Sequence, residues 1–204
     1  ARFAREWQVP SLTTVRELAD WLEVPTARLL AMADRWGRSA RATEQRHQHY
    51  RYRLLTKPGG AVRLIESPKP RLKATQQRLL RGILQKIPLH DAVHGFRLGR
   101  NPATFAVPHA RQRIVIRLDL ADFFPSILAA RVGGIFRAAG YPEHVSELLV
   151  GLTTNTSPRE IFAIVPGHNP IAEEQVDRYC RPHLPQGAPT SPYLSNLAAF
   201  RLDQ

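Results

Sequence analysis

The sequence predicts an α+β fold: an antiparallel sheet packed with helices, behind a small helical N-terminal extension. Three patterns carry that expectation. Tyr50-Arg51-Tyr52-Arg53-Leu54-Leu55 alternates as a strand does, and the turn signal Lys57-Pro58-Gly59-Gly60 leads into a returning strand over 61–65, which makes a β-hairpin. Ile114, Ile116, Leu118 and Leu120 alternate with Val115, Arg117 and Asp119, a second strand signature. From residue 71 to 87 the positions Leu72, Leu79, Leu80, Ile83, Leu84 and Ile87 fall on one helical stripe, opposite Lys73, Arg78 and Arg81.

The remaining elements follow in chain order. Thr14-Val15-Arg16-Glu17 is a capping-box pattern, and Val15, Leu18, Ala19 and Leu22 supply a helical face. Pro25-Thr26 punctuates, and a second helix is predicted from residue 27 to about residue 35. This pair reads either as a packing extension or as a docking surface for RNA or the rest of the protein. Residues 90–108 form a Gly/Pro-interrupted loop carrying Arg97 and Arg100. The strand over 114–120 then directs Asp119 away from the Ile114/Ile116 face. Helices are predicted at 129–139 and 142–152, the second with Pro142 in its first turn. Residues 153–182 read as polar and irregular. Thr190 is placed to cap a last helix, with Pro192 near its first turn and Leu194, Leu197, Ala198 and Leu202 as its apolar face.

Composition narrows the function class. The 204 residues are 43% hydrophobic, which excludes disorder throughout, and the formal charge is +12. Of the 29 basic residues only Lys57, Lys69, Lys73 and Lys86 are lysines. Arginine forks match phosphate oxygens and stack on bases, so the bias suits a nucleic-acid partner. An arginine-favouring codon usage accounts for the Arg-over-Lys choice equally well, but not for the net charge. Cys180 is the single cysteine, so no internal disulfide forms. No apolar run approaches membrane-spanning length and no signal-peptide pattern is present, so the expectation is a cytoplasmic protein without a membrane partner. The chain begins at Ala1 and ends at Asp203-Gln204 inside an expected helix, and reads as a fragment of a longer protein.

Two strings carry the chemistry. The first is Leu118-Asp119-Leu120-Ala121-Asp122-Phe123-Phe124-Pro125-Ser126-Ile127, the second Leu184-Pro185-Gln186-Gly187-Ala188-Pro189-Thr190-Ser191-Pro192. A carboxylate ending a rigid strand can hold Mg²⁺ against substrate phosphates, although an isolated Asp there is more often a cap. Asp122 is a second carboxylate, read as more apt to offer its backbone amide. Adjacent aromatics after a strand are commonly core, yet one of Phe123 and Phe124 can pack inward while the other lies against a sugar. Gln186-Gly187 combines a side-chain amide with a residue that permits close backbone approach. Lys57 and Arg63 flank the hairpin turn, where two cations suit a triphosphate and also suit plain solubility. The histidines make no metal constellation.

The order of these features resembles the bacterial reverse transcriptases, most of all the retron-type branch. It runs from the 52–65 hairpin through Pro68-Lys69-Pro70-Arg71-Leu72-Lys73 and Gln76-Gln77, then His94-Gly95-Phe96-Arg97 with Gly99-Arg100, then the two strings. The resemblance covers roughly residues 50–204. It implies an N-terminal helical extension at 1–49, fingers at 50–112 and a partial palm at 113–204, lacking the third palm motif and the thumb. It implies an RNA-directed DNA polymerase that adds dNTPs to a primer on an RNA template by two-metal phosphoryl transfer with Mg²⁺. By the same resemblance Asp119 and the carbonyl of Leu120 are metal ligands, and Asp119 is the catalytic carboxylate. The amides of Asp122 and Phe123 contact triphosphate, and Phe124 is the sugar-gating aromatic. Gln186 and Gly187 bind nucleotide, and Lys57 and Arg63 are finger cations. The partners implied are RNA template and nascent DNA, dNTPs and a defence effector protein, in an antiphage role. The family's further metal carboxylates lie in a Tyr-x-Asp-Asp hairpin beyond Gln204, so these residues alone are expected to be inactive. The alternative reading is a non-catalytic basic RNA-binding protein that keeps a palm-like scaffold.

Overall fold

Helix α1 (Val15–Leu22) starts where its capping box predicts. Glu17 donates its backbone N–H to Thr14 Oγ1 at 3.1 Å, and the Glu17 carboxylate accepts the Thr14 N–H at 3.2 Å. Helix α2 (Thr26–Ala33) stops earlier than the periodicity suggests because Asp34 turns left-handed, with φ 39°. The Asp34 carboxylate then accepts the N–H groups of Arg38 and Ser39, each at 2.8 Å. The computed structural model describes residues 6–42, 44–56, 62–163 and 171–203.

The hairpin is present as strands β1 (Tyr50–Thr56) and β2 (Val62–Pro68), antiparallel, with Tyr52 opposite Glu66 and Leu54 opposite Leu64. Its turn, including Lys57, lies outside the described residues. Alternation sorts the two faces: Tyr50, Val62, Leu64 and Glu66 are buried, while Arg51, Arg53 and Arg63 are exposed. Helix α3 (Pro70–Gly82) takes Pro70 in its first turn and ends five residues short of the predicted stripe. Gly82 faces the Trp21 indole so closely that an added Cβ would sit 2.4 Å from Cζ2. Past it the chain tightens into a 3₁₀ turn at Leu84–Lys86, which keeps Ile83, Leu84 and Ile87 buried.

The predicted strand over 114–120 is not formed. Residues 111–120 are all exposed and irregular, with Ile114 77%, Ile116 78% and Leu118 87% accessible. A strand exists only when its backbone donors and acceptors pair with a neighbour, and among the described residues the sole sheet is β1–β2. Asp119 therefore does not project from a sheet. The loop expected over 90–108 contains helix α4 (Pro102–Ala106), capped reciprocally by Asn101 and Thr104. A four-residue turn, α5 (Phe123–Ser126), precedes α6 (Ala129–Ala138) and α7 (Glu143–Thr153), where Pro142 is the cap rather than part of the first turn. The stretch read as irregular contains helix α8 (Glu173–Tyr179), with two glutamates in its first turn and Arg178 in its last, the signs that the helix dipole favours. Helix α9 (Ser191–Ala199) has Pro192 in its first turn as predicted, but Thr190 is αR and makes no side-chain cap.

One apolar cluster joins these parts. It runs from Val9, Leu18 and Leu29 of the N-terminal segment through Leu79 and Ile83 to Leu148, Leu152, Leu194 and Leu197. Gln76 of α3 is buried within it and donates to the Tyr50 hydroxyl and the Leu152 carbonyl, both at 2.9 Å. Tyr193 ties α9 to the Ile87 carbonyl at 2.8 Å. No helix among the described residues is long and apolar enough to cross a membrane.

Helices α2 and α7 meet at Gly151, where an added Cβ would lie 1.9 Å from the Ala33 carbonyl oxygen. Helix propensity alone makes Gly151→Ala a gain of about 1 kcal/mol. Overpacking against rigid backbone opposes it with about 1–3 kcal/mol. The net expectation is a loss of stability, read as a lowered urea midpoint; an unchanged or raised midpoint would show that the two helices separate freely.

Candidate functional site

The two strings meet through their backbones. Leu184 donates its N–H to the Ile127 carbonyl at 3.0 Å, and Ala129 donates to the Pro182 carbonyl at 2.9 Å. Between them His183 forms isolated β-bridges with Leu128 on one side and Asn155 on the other. His183 and Asn155 exchange both backbone hydrogen bonds at 2.9 Å. The end of the first string is thus fastened to the start of the second, and both to the segment that follows α7.

The second string then turns against the outer edge of β2. The Glu66 N–H donates to the Gln186 carbonyl at 2.8 Å. Gly187 has φ +133°, and a Cβ there would lie 2.9 Å from the Glu66 carbonyl oxygen. Two separate reasons, dihedral and space, thus require glycine at this position. The close approach that the sequence suggests for Gly187 is made to β2 itself.

At the centre lies the Glu66 carboxylate, wholly buried. Oε1 accepts from Asn155 Nδ2 at 2.8 Å and Ser157 Oγ at 2.7 Å; Oε2 accepts from His183 Nε2 at 2.9 Å and the Gln186 N–H at 3.2 Å. Asn155 also donates to the Tyr52 hydroxyl at 3.1 Å, and burial pushes that phenol up to about 12. His183 Nδ1 lies 2.7 Å from the Arg181 carbonyl, an atom that can only accept, so Nδ1 carries a proton. With Nε2 on a carboxylate, both ring nitrogens donate and the ring is an imidazolium. Burial opposes the charge on each partner, but each is outweighed by the other's presence. The Glu66 carboxylate raises His183 above its ordinary 6.5. The imidazolium, with Asn155 and Ser157, holds Glu66 below its ordinary 4.5.

The first string is engaged only at its far end. Asp122 is half-buried in the left-handed region, with φ 48°. Its carboxylate accepts from Gln175 Nε2 at 3.2 Å and pairs with Arg178 at 3.7 Å, both on α8. Gln175 donates as well to the Val62 carbonyl at 3.3 Å, so α8 braces the first string against β2. Phe123 and Phe124 pack partly into the core, edge to face with ring centres 6.4 Å apart. Arg63 is exposed on β2. Asp119 and Leu120 stand exposed on the irregular segment. Among the described residues no group of three or more His, Cys, Asp or Glu side chains converges on a metal position. One exposed carboxylate does not hold two ions, so the described residues do not by themselves fit a two-metal site.

Sequence reading passed over Glu66, His183, Asn155 and Ser157. A signal was available for the first: Glu66 continues the inward register of Val62 and Leu64, and a carboxylate in a buried register demands partners. Nothing local marks the other three, since they come from a different part of the chain.

Comparison with known proteins shows the family to which the sequence is similar. The model of a family described as reverse transcriptase (RNA-dependent DNA polymerase) matches residues 55–204. The Retron Mx65 reverse transcriptase of Myxococcus xanthus is 42% identical over 162 residues, covering 78% of this chain and 36% of that protein. The Retron Mx162 reverse transcriptase of the same organism is 39% identical over 156 residues, 76% of this chain and 31% of that protein. The Retron Ec86 reverse transcriptase of Escherichia coli is 32% identical over 158 residues, 76% of this chain and 42% of that protein. The chain spans well under half the length of these curated relatives.

The buried pair makes stability depend on pH with a definite sign. His183 contributes fully below 6.5, and that contribution is lost as pH rises through its raised value; Glu66 contributes fully above 4.5 and loses its share as pH falls through its lowered value. Between those limits His183→Gln, which strands the carboxylate, is expected to cost about 3–5 kcal/mol. In thermal unfolding, the gap between wild type and His183→Gln should narrow as pH is raised above 6.5. A gap independent of pH would rule out the imidazolium.

Proposed function

The chain belongs to the reverse transcriptase family, and from that premise we propose that it forms the fingers and part of the palm of a retron-type RNA-directed DNA polymerase. The reaction is addition of dNTPs to a primer paired with an RNA template. The observation that carries the reading is the joining of the two strings, distant in sequence, by the Leu184–Ile127 hydrogen bond and their common attachment to β2. In this reading residues 1–49 are a helical extension, 50–112 the fingers and 113–204 the palm portion.

Each residue then has a role. Lys57 and Arg63 on the hairpin attract the triphosphate, helped by the +12 charge of the chain. The amides of Asp122 and Phe123 meet its oxygens, and α8 holds that bend still through Gln175 and Arg178. Phe124 lies against the sugar, where an aromatic edge excludes a 2′-hydroxyl. Gln186 and Gly187 form the wall against the nucleotide, fastened to β2. Divalent-metal use goes with the family; we take the ion to be Mg²⁺, with Asp119 and the Leu120 carbonyl as donors from this chain. With further ligands from outside the described residues, bound ions would neutralise charge at the reacting phosphate. The partners are an RNA template with its nascent DNA, and the names of the relatives support a retron RNA. An antiphage role with a defence effector protein completes the proposal.

Primer extension by the full-length protein on an RNA template tests this directly. Asp119→Ala is expected to abolish extension, by a factor of about 10³ or more if a metal ligand is lost, while leaving RNA binding intact. Equal extension by both proteins would remove Asp119 from the chemistry, and binding without extension by wild type would favour the non-catalytic reading. In the same assay Phe124→Ala should raise ribonucleotide incorporation relative to deoxynucleotide; unchanged sugar selectivity would place the gate elsewhere.

A further inference from the structure

We propose that Glu66, held by His183, is a positioning residue for the Gln186-Gly187 turn and through it sets the affinity of the site for the incoming nucleotide. The nucleotide half of this rests on the polymerase reading above; the turn half rests on geometry alone.

One residue grips both polar groups of the Gln186 backbone. The Glu66 N–H donates to the Gln186 carbonyl at 2.8 Å, and Glu66 Oε2 accepts the Gln186 N–H at 3.2 Å. A two-point hold of this kind fixes the backbone on both sides of the Gln186 Cα, and with it the direction in which the side chain leaves. The next residue adds a third constraint, because Gly187 sits against the Glu66 carbonyl with no room for a Cβ. Glu66 in turn cannot shift. Its Oε1 is held by Asn155 and Ser157, and its Oε2 by His183, three residues before Gln186 on the same strand-like segment. Of the four donors on the carboxylate, only the Gln186 N–H belongs to the turn. Gln186 is half-buried while Glu66 and His183 are wholly buried, so a sealed charge pair supports a residue that is itself partly open to solvent.

The arrangement separates positioning from simple stability. Glu66→Gln preserves shape and an acceptor for Asn155 and Ser157, but it turns a donor toward the Gln186 N–H and toward His183 Nε2, which then accepts as a neutral ring instead of standing as an unpaired charge. Gly151→Ala destabilises the α2–α7 contact, which touches neither the carboxylate nor the turn. Glu66→Ala is the less useful variant, since it strands a buried imidazolium and endangers folding.

In the full-length protein, hydrogen–deuterium exchange over residues 184–188 and the dNTP KM and kcat of primer extension decide the matter together. Glu66→Gln is expected to speed exchange of that segment and raise KM roughly tenfold, the size of one lost hydrogen bond to a charged group, with kcat nearly unchanged. Gly151→Ala is expected to lower the melting temperature while leaving both the exchange and KM as in wild type. Unchanged exchange in Glu66→Gln, or equal acceleration in both variants, overturns the positioning role. Faster exchange with an unmoved KM overturns the link to the nucleotide. A wild-type protein that extends no primer overturns the polymerase reading instead, and the exchange result still decides what Glu66 does to the turn.

Discussion

A carboxylate taken wholly out of water is tolerable only if its lone pairs are occupied and its charge is met, and the Glu66 site meets both conditions at once. Four donors from two separate segments close on two oxygens: Asn155 and Ser157 after α7, and His183 and the Gln186 amide before and within the turn. None of these groups is near Glu66 in sequence. The desolvation penalty is therefore offset only when β2, the 155–157 segment and the 183–187 segment are all in place, which couples the hairpin to the turn in an all-or-none manner.

The site inherits its geometry from that coupling. Because His183 is bridged to Leu128, the end of the Asp-Phe-Phe string is drawn to the same place as the Gln-Gly turn. Helix α8 adds a second brace, holding Asp122 with Gln175 and Arg178 while Gln175 also reaches Val62 of β2. The acidic side chain of Asp122 thus serves as a fastening, which leaves Asp119 as the carboxylate of that string open to solvent. The helical core beneath, continuous from Val9 to Leu197, supplies the rigid floor on which these short irregular pieces rest.

The segment over 111–120 shows the opposite condition. Its alternation of Ile114, Ile116 and Leu118 with polar neighbours has the period of a strand, yet its side chains bury nothing and its backbone has no ladder partner among the described residues. Periodicity describes what a segment would bury if something lay beside it, and it cannot provide the neighbour. The same limit explains the early end of α3. Its apolar stripe extends to Ile87, but Gly82 is committed to the face of Trp21, and the chain reaches the same buried positions through a 3₁₀ turn.

What the sequence determined by itself is whatever depends on neighbours a few residues away. The Thr14/Glu17 capping box, the β1–β2 hairpin with its sorted faces, the apolar stripe of α3, the Pro-led start of α9, and the two strings were all legible, because caps, turns and periodicity are local. Tertiary structure alone decided that Asp122 is bound by α8, that Gly187 is required by the backbone of Glu66, and that His183 is charged. Each of those depends on a group more than fifty residues away, whose arrival no local pattern records. Burial then turns such an encounter into a requirement, since a polar group removed from water must be matched by whatever the fold brings to it.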